Sequence, residues 1–320
     1  MIPFFVVDRP VSLEILKGIF FKFPQLRFGL MTHANVSPNF VQVFQDFPYS
    51  TKLKYSESIV DEKRLNEIIH AQIIKISDSG VFQKNGSNRS YPDLFNRYID
   101  LGVQFGIIKD VLHNMKSTLK SAKEGIEIYQ ELGFYEKFNL IGVAQGKTVE
   151  EYIRCYEKLL DMGYEYIAIG GLLRRNGNSN YVQVRSEEFL KDVVGTIQKE
   201  FSPKWLFVLG VYSPKRHQLL ENLGVWGADY KGWLFHYDEY YSKSIQEFLE
   251  YPDVKNAYKQ FIRYKNNFRE SRTPENRKKF WEARKKLDEV LKSHGTSLQE
   301  LRFREVRATI RTSIISQMKL

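Results

Sequence analysis

Short apolar runs alternate along this chain with segments whose apolar positions repeat every three or four residues. The stretch from Asn139 to Ile169 shows the unit most clearly. Leu140 to Ala144 is an apolar run between polar residues, the pattern of a buried strand. Thr148, with Glu151 three residues on, makes a capping box. Tyr152, Ile153, Tyr156, Leu159 and Leu160 then form one apolar stripe, and Gly163 is placed to end the helix. Tyr166 to Ile169 is the next strand. A crossover of this kind makes the two strands parallel and the connection right-handed.

Similar runs predict further strands at Phe4–Val7, Arg27–Thr32, Ala71–Ser77, Gln104–Ile108, Trp205–Leu209 and Trp226–Tyr230. Helices are expected between most of them, at Ser12–Phe21, Ser117–Leu132, from Ser186, and after Ser213-Pro214. Eight strands with helices between them are the pattern of an α/β TIM (β/α)8 barrel. An open doubly wound sheet is the alternative, and nothing here resembles GxGxxG. Residues 34–64, with Pro38, Pro48 and several Asn and Ser, read as a long surface excursion, and Arg174–Tyr181 as a loop. Beyond the eighth strand the pattern changes. Residues 236–241 are aromatic and acidic, and Thr273-Pro274 opens a charged helix that Gly295 ends. A second helix is expected from Thr296 or Ser297 past Ile310. Two domains follow: a barrel over 1–235 and a basic helical extension over 236–320. In that extension Phe280, Trp281, Leu287, Val290 and Leu291 form an apolar side expected to pack on the barrel.

Charge sharpens this picture. Lys and Arg number 48 against 38 Asp and Glu, a net +10 with a pI near 9.3, which favours a polyanionic partner. Lys278, Lys279, Lys285 and Lys286 crowd the polar side of the helix after Pro274 and are candidates for phosphate contacts, as are Arg174 and Arg175 beside two glycines. A solvated basic face is the competing reading. Cys155 is the only cysteine, so internal disulfides and cysteine-based zinc sites are excluded. No stretch is long and apolar enough to span a membrane, and a cytoplasmic location is expected.

In a parallel barrel the candidate chemistry belongs at the C-terminal strand ends. Asp78, followed by Ser79 and Gly80, closes the third strand, and Asp110 lies just past the fourth. Gln145 follows the fifth, Gly170-Gly171-Leu172 the sixth, and Asp229 sits near the end of the eighth. A turn-capping role is equally open to Asp78 on local sequence alone. His33 ends the second strand without a partner histidine at ligand spacing and reads as a satisfied structural side chain. The other histidines are similarly scattered, so a metal-dependent hydrolase is disfavoured and no metal is expected.

These strand-end residues carry a family resemblance. Asp78-Ser79-Gly80-Val81-Phe82-Gln83 is similar to the DSGGxQ segment of the tRNA-guanine transglycosylases. Gly142-Val143-Ala144-Gln145-Gly146 resembles their GxVQG, and Ala168-Ile169-Gly170-Gly171-Leu172 their AxGGL. Val208-Leu209-Gly210-Val211, then a helix and Gly227-Ala228-Asp229, is similar to the closing strands. The likeness covers about residues 1–235 and looks greatest to the DNA-acting relatives in 7-deazaguanine DNA-modification systems. It implies exchange of guanine in DNA for a free 7-deazaguanine base, such as 7-cyano-7-deazaguanine, through a covalent aspartyl–sugar intermediate. Asp78 would then be the general acid/base and Asp229 the nucleophile. Asp110, Gln145, Gly170 and Gly171, with Ser79 and Leu172 alongside, would bind the base. No cofactor is implied, and partner proteins of such a system are possible. The chain departs from the family in two places: the zinc-binding cysteines are absent, and an ungapped match to G-x-D-x-x-D puts Gly232 at the nucleophile position. A short local deletion would restore the role to Asp229. The alternatives are a silent relative that binds nucleic acid or a deazaguanine, and an enzyme acting on tRNA.

Overall fold

In the computed structural model, eight parallel strands close into a barrel in the order β1-β10-β9-β6-β5-β4-β3-β2. The structure describes all residues except 23–26, 52–60, 82–88, 176–181, 185–186, 232, 234–243, 302–303 and 305–320; at 19, 21, 22, 173–175 and 182–184 it describes the backbone alone. Barrel strands are β1 (Ile2–Val6), β2 (Gly29–His33), β3 (Ile74–Asp78), β4 (Phe105–Ile107), β5 (Asn139–Ala144), β6 (Tyr166–Ile169), β9 (Leu206–Val208) and β10 (Gly227–Tyr230). Each lies within a few residues of its predicted position, and the fold is the expected TIM barrel.

The helices between them are α1 (Pro10–Lys22), α2 (Pro38–Gln45), α3 (Glu62–Gln72), α4 (Tyr91–Asp100), α5 (Met115–Glu131), α6 (Val149–Asp161), α7 (Glu187–Phe201) and α8 (His217–Asn222). The Thr148 cap on α6 holds, with its hydroxyl accepting from the Glu151 N–H at 3.3 Å. Glu151 reaches back to the Lys147 N–H at 2.7 Å, one residue before the cap. Gly163 takes the left-handed conformation, φ 90°, that ends the helix. The expected Ser186 cap of α7 lies outside the described residues.

Two sequence expectations are corrected here. Residues 34–64 are not a plain surface excursion. Pro38 occupies the first turn of α2 behind a Ser37 cap, and Asp61 caps α3. Buried Lys75 closes the end of α2 by donating to the carbonyls of Phe44 (2.9 Å), Gln45 (2.9 Å) and Phe47 (3.2 Å). Buried Lys17 donates to Pro48 O at 3.1 Å and pairs with Glu62 at 2.8 Å. The Arg174–Tyr181 loop, in turn, starts on a small antiparallel hairpin, β7 (Leu173–Arg175) with β8 (Val182–Val184).

The barrel's two ends differ in kind. Rings of Phe105, Trp205, Phe207, Trp226 and Phe4 meet with centroids 4.9–6.4 Å apart. They come from strands on opposite sides of the closed sheet, so they fill its interior near the N-terminal strand ends. Gly29 makes room for this layer, since a Cβ there would lie 2.1 Å from the Phe4 ring. The interior toward the C-terminal ends is polar.

Met1–Gly232 belong to one compact unit, and Trp233–Ser313 form the second. The longest of its described elements are two helices, α9 (Pro252–Glu270) and α10 (Pro274–Ser293), which form a hairpin. Val254, Ala257 and Phe261 of α9 are buried in one cluster with Ala283, Leu287 and Leu291 of α10. The apolar side of α10, expected to lie on the barrel, thus finds a partner in α9. Trp281, assigned to that side, is instead 49% exposed. Most of the second helix expected past Ile310, and all of the acidic stretch 236–241, lie outside the described residues.

Candidate active site

β-Strands set alternate side chains on opposite faces, so the last inward residue of each barrel strand faces the mouth. Asp78 ends β3 and is paired in register with His33, which ends β2. The Asp78 carboxylate accepts from Ser79 Oγ and Gly80 N–H, both at 3.3 Å. Gly80 has φ 79°, and a Cβ there would fall 2.6 Å from Asn35 Nδ2, so the tight turn under Asp78 needs glycine. Ser79, expected at the base, is 2% exposed and its hydroxyl is committed to Asp78.

Asp110 and Gln145 form a second cluster. Both are buried, at 5% and 1% exposure, and Gln145 Nε2 donates to Asp110 Oδ2 at 2.6 Å. Gln145 Oε1 accepts from the His113 N–H at 3.1 Å, with His113 held at φ 56°. A non-glycine residue in that region costs about 1 kcal/mol, and here the turn delivers a donor to the amide. The amide is therefore fixed from both ends. It keeps one N–H and one lone pair for a ligand.

Gly170 and Gly171 serve this amide directly. A Cβ on Gly170 would lie 2.5 Å from Gln145 Nε2, and one on Gly171 would lie 2.3 Å from Oε1. Gly171 also has φ 72°. The space the glycines leave is filled by Gln145, whereas the sequence reading gave it to the ligand. Tyr152 Oη donates to Gly170 O at 2.8 Å and pins the turn. Leu172 is fully buried beside it.

Asp229, 6% exposed, completes the mouth from β10. Its Oδ1 accepts from the Gly210 N–H that follows β9. Lys231 follows two residues on.

Electrostatics tie these groups together. Burial raises the pKa of Asp110 to about 7, and the Asp78 charge adds to the rise while Gln145 opposes it. Asp229 is likewise pushed up to about 7 by burial and by Asp78, against the Gly210 N–H and Lys231. Asp78 is raised by burial, against Gly80, His33, Ser79 and Lys231. Burial lowers His33, and Asp78 opposes that shift. The Asp78 charge thus bears on both Asp110 and Asp229, in keeping with three carboxyls placed at the C-terminal ends of parallel strands β3, β4 and β10.

The mouth thus brings together Asp78, Ser79, Asp110, Gln145, Gly170, Gly171 and Asp229. His33 is a correction. Its Nδ1 is buried with no hydrogen-bond partner among the described residues, so it is not a satisfied structural side chain. Lys231 was overlooked altogether. Its position two residues beyond a strand-end aspartate was the available signal. Arg174 and Arg175 fall on β7, with their side chains outside the described set, as are Phe82, Gln83 and Gly232 entirely. Lys278, Lys279, Lys285 and Lys286 lie on α10 of the other unit. Among the described residues no group of three or more His, Cys, Asp or Glu is arranged to hold a metal ion. None of the described helices is long and apolar enough to cross a membrane.

No protein-family model matches the chain, and no curated protein matches it. Among solved structures it is similar to a probable tagatose 6-phosphate kinase from Sinorhizobium meliloti 1021, with TM-score 0.60 and 11% identity over 99% of both chains. It is also similar to the YdjI aldolase from Escherichia coli K12, with TM-score 0.49 and 11% identity over 99% of this chain and 92% of that one. At such identities the likeness to the first structure supports the barrel fold and nothing finer.

Proposed function

We propose that this chain is a guanine transglycosylase that exchanges guanine in DNA for a free 7-deazaguanine base. The observation that carries the reading is the mouth itself. Two electrostatically coupled carboxyls, Asp78 and Asp229, stand beside a hydrogen-bonded carboxyl–amide pair, Asp110 and Gln145. Such a set suits double displacement at a sugar carbon.

Asp229 attacks C1′ of a flipped-out deoxyguanosine, forming an ester-like O–C1′ bond as the C1′–N9 bond breaks. Oδ1 is held by Gly210, and Oδ2 carries no hydrogen bond among the described residues, so it is the attacking atom. Asp78 gives its proton to the departing guanine and takes one from the incoming base as that base displaces Asp229. Burial raises the pKa of Asp78, which favours the proton-bearing form that this step needs. His33 and Lys231 act on Asp78 through charge and favour its ionised form after the first transfer. Ionised Asp110 accepts from the adjacent N–H groups of a guanine-like edge, with Gln145 alongside.

Incubating the protein with guanine-containing DNA, with tRNA and with labelled guanine tests the reading. Label should be retained in DNA, and Asp229→Asn should reduce incorporation by about a thousandfold or more while DNA binding persists. Incorporation into tRNA alone would move the substrate to the alternative. Binding without exchange would make the chain a silent relative.

A further inference from the structure

The second unit holds a site of its own. Where α9 turns into α10, Arg272, Thr273, Pro274, Arg277, Lys278 and Trp281 line a groove of about 360 Å³. The turn is built rather than loose. Asn276 Nδ2 donates back to Ser271 O at 2.9 Å and Asn267 O at 3.4 Å, and Thr273 Oγ1 accepts from the Asn276 N–H at 3.2 Å. Trp281 is 49% exposed, and Arg284 lies over its ring at 5.1 Å.

Three lysines of the helix are held in one-turn ion pairs, and the groove's cations are not among them. Lys279 pairs with Glu275 at 2.6 Å, Lys285 with Glu289 at 3.7 Å and Lys292 with Asp288 at 2.8 Å. Arg272 and Arg277 have no ion pair among the described residues, and Lys278 has only a long contact to Glu282 at 3.9 Å. Residues 252–293 carry 13 Lys and Arg against 6 Asp and Glu, so this hairpin supplies most of the chain's net +10. Unpaired guanidiniums match phosphate oxygens in geometry as well as charge. An exposed indole among them offers a flat apolar surface, which an acidic peptide or a lipid headgroup would leave unused and a nucleobase would cover.

We propose that this groove holds a strand of nucleic acid, its phosphates on Arg272, Arg277 and Lys278 and a base against Trp281. The proposal rests on the nucleic-acid reading above and adds a contact outside the barrel mouth.

Anisotropy of a labelled single-stranded oligodeoxynucleotide, titrated with the full chain across a salt series, tests it. Arg272→Ala/Arg277→Ala should weaken binding about tenfold or more and reduce the slope of log affinity against log salt by about 1.4. Trp281→Ala should weaken binding about tenfold with little change in slope. Lys285→Ala/Lys286→Ala removes the same charge from outside the groove and should do markedly less. Equal losses in the two double variants, or a Trp281→Ala protein that binds like wild type, would overturn the groove. So would a wild-type chain that binds anionic vesicles or polyglutamate but no oligonucleotide. The base-exchange assay on wild type and groove variants separates the two readings. Intact groove binding with no exchange by the wild type sinks the reaction and spares the groove, and exchange with wild-type binding by the groove variants does the reverse.

Discussion

The barrel mouth and the helical hairpin are both rich in charge, and they use it in opposite ways. At the mouth, Asp78, Asp110 and Asp229 are withdrawn from water and lack cationic hydrogen-bond partners, so burial raises all three pKa values and the Asp78 charge adds to the rise at Asp110 and Asp229. On α10, Lys279, Lys285 and Lys292 are exposed and paired one turn away with acids. The first arrangement costs stability and produces reactive protonation states. The second costs little and contributes little. A charged residue is therefore informative about function where its environment leaves it unsatisfied, and Arg272 and Arg277 are among the hairpin cations with no ion pair to the described residues.

The sharpest way to break this contrast is to remove a charge from each region. Asp110 has a folded pKa near 7, above its ordinary 3.8. Its stabilising contribution is complete below about pH 4 and is lost as pH rises through about 7. Asp110→Asn escapes that loss, since the amide can still accept from Gln145. Its melting temperature relative to wild type should climb between pH 5 and pH 8, by the equivalent of up to a few kcal/mol. Calorimetry at the two pH values reads this directly, and a constant difference would mean that Asp110 ionises normally in the folded protein.

A much smaller effect is expected on the hairpin. Lys279→Ala removes one member of a 2.6 Å pair whose partners are 46% and 74% exposed. Its melting temperature should match wild type within about 1 °C at any pH from 5 to 8. A clear loss would show that the α10 pairs carry structure, and the contrast between the two regions would weaken.

The parts of the fold that were legible in the sequence share one cause. Tyr166–Ile169 and Leu140–Ala144 are uninterrupted apolar runs because barrel strands are covered on both faces. The carboxylates closing such runs stood out for the same reason, since a charge directly after a buried strand has few places to go. Residues 34–64 were misread because Pro38 and Asp61 signal a break and a helix start alike, and only the packing of Lys17 and Lys75 distinguishes them. Gly170 and Gly171 announced a close approach without naming what approaches, which is Gln145. His33 was read as a satisfied structural side chain, and Trp281 was placed on a packed apolar side by periodicity. Their true settings depend on neighbours distant in sequence, Asp78 in one case and the α9–α10 turn in the other.

The central claim is covalent chemistry at Asp229. Incubating the protein with guanine-containing DNA in the absence of any free base, then denaturing and digesting it, should yield a DNA adduct on the peptide carrying Asp229. Asp229→Asn should bind the DNA and yield none. An adduct mapped to Asp78 or to any other residue, or base exchange that proceeds with no adduct, would contradict the account.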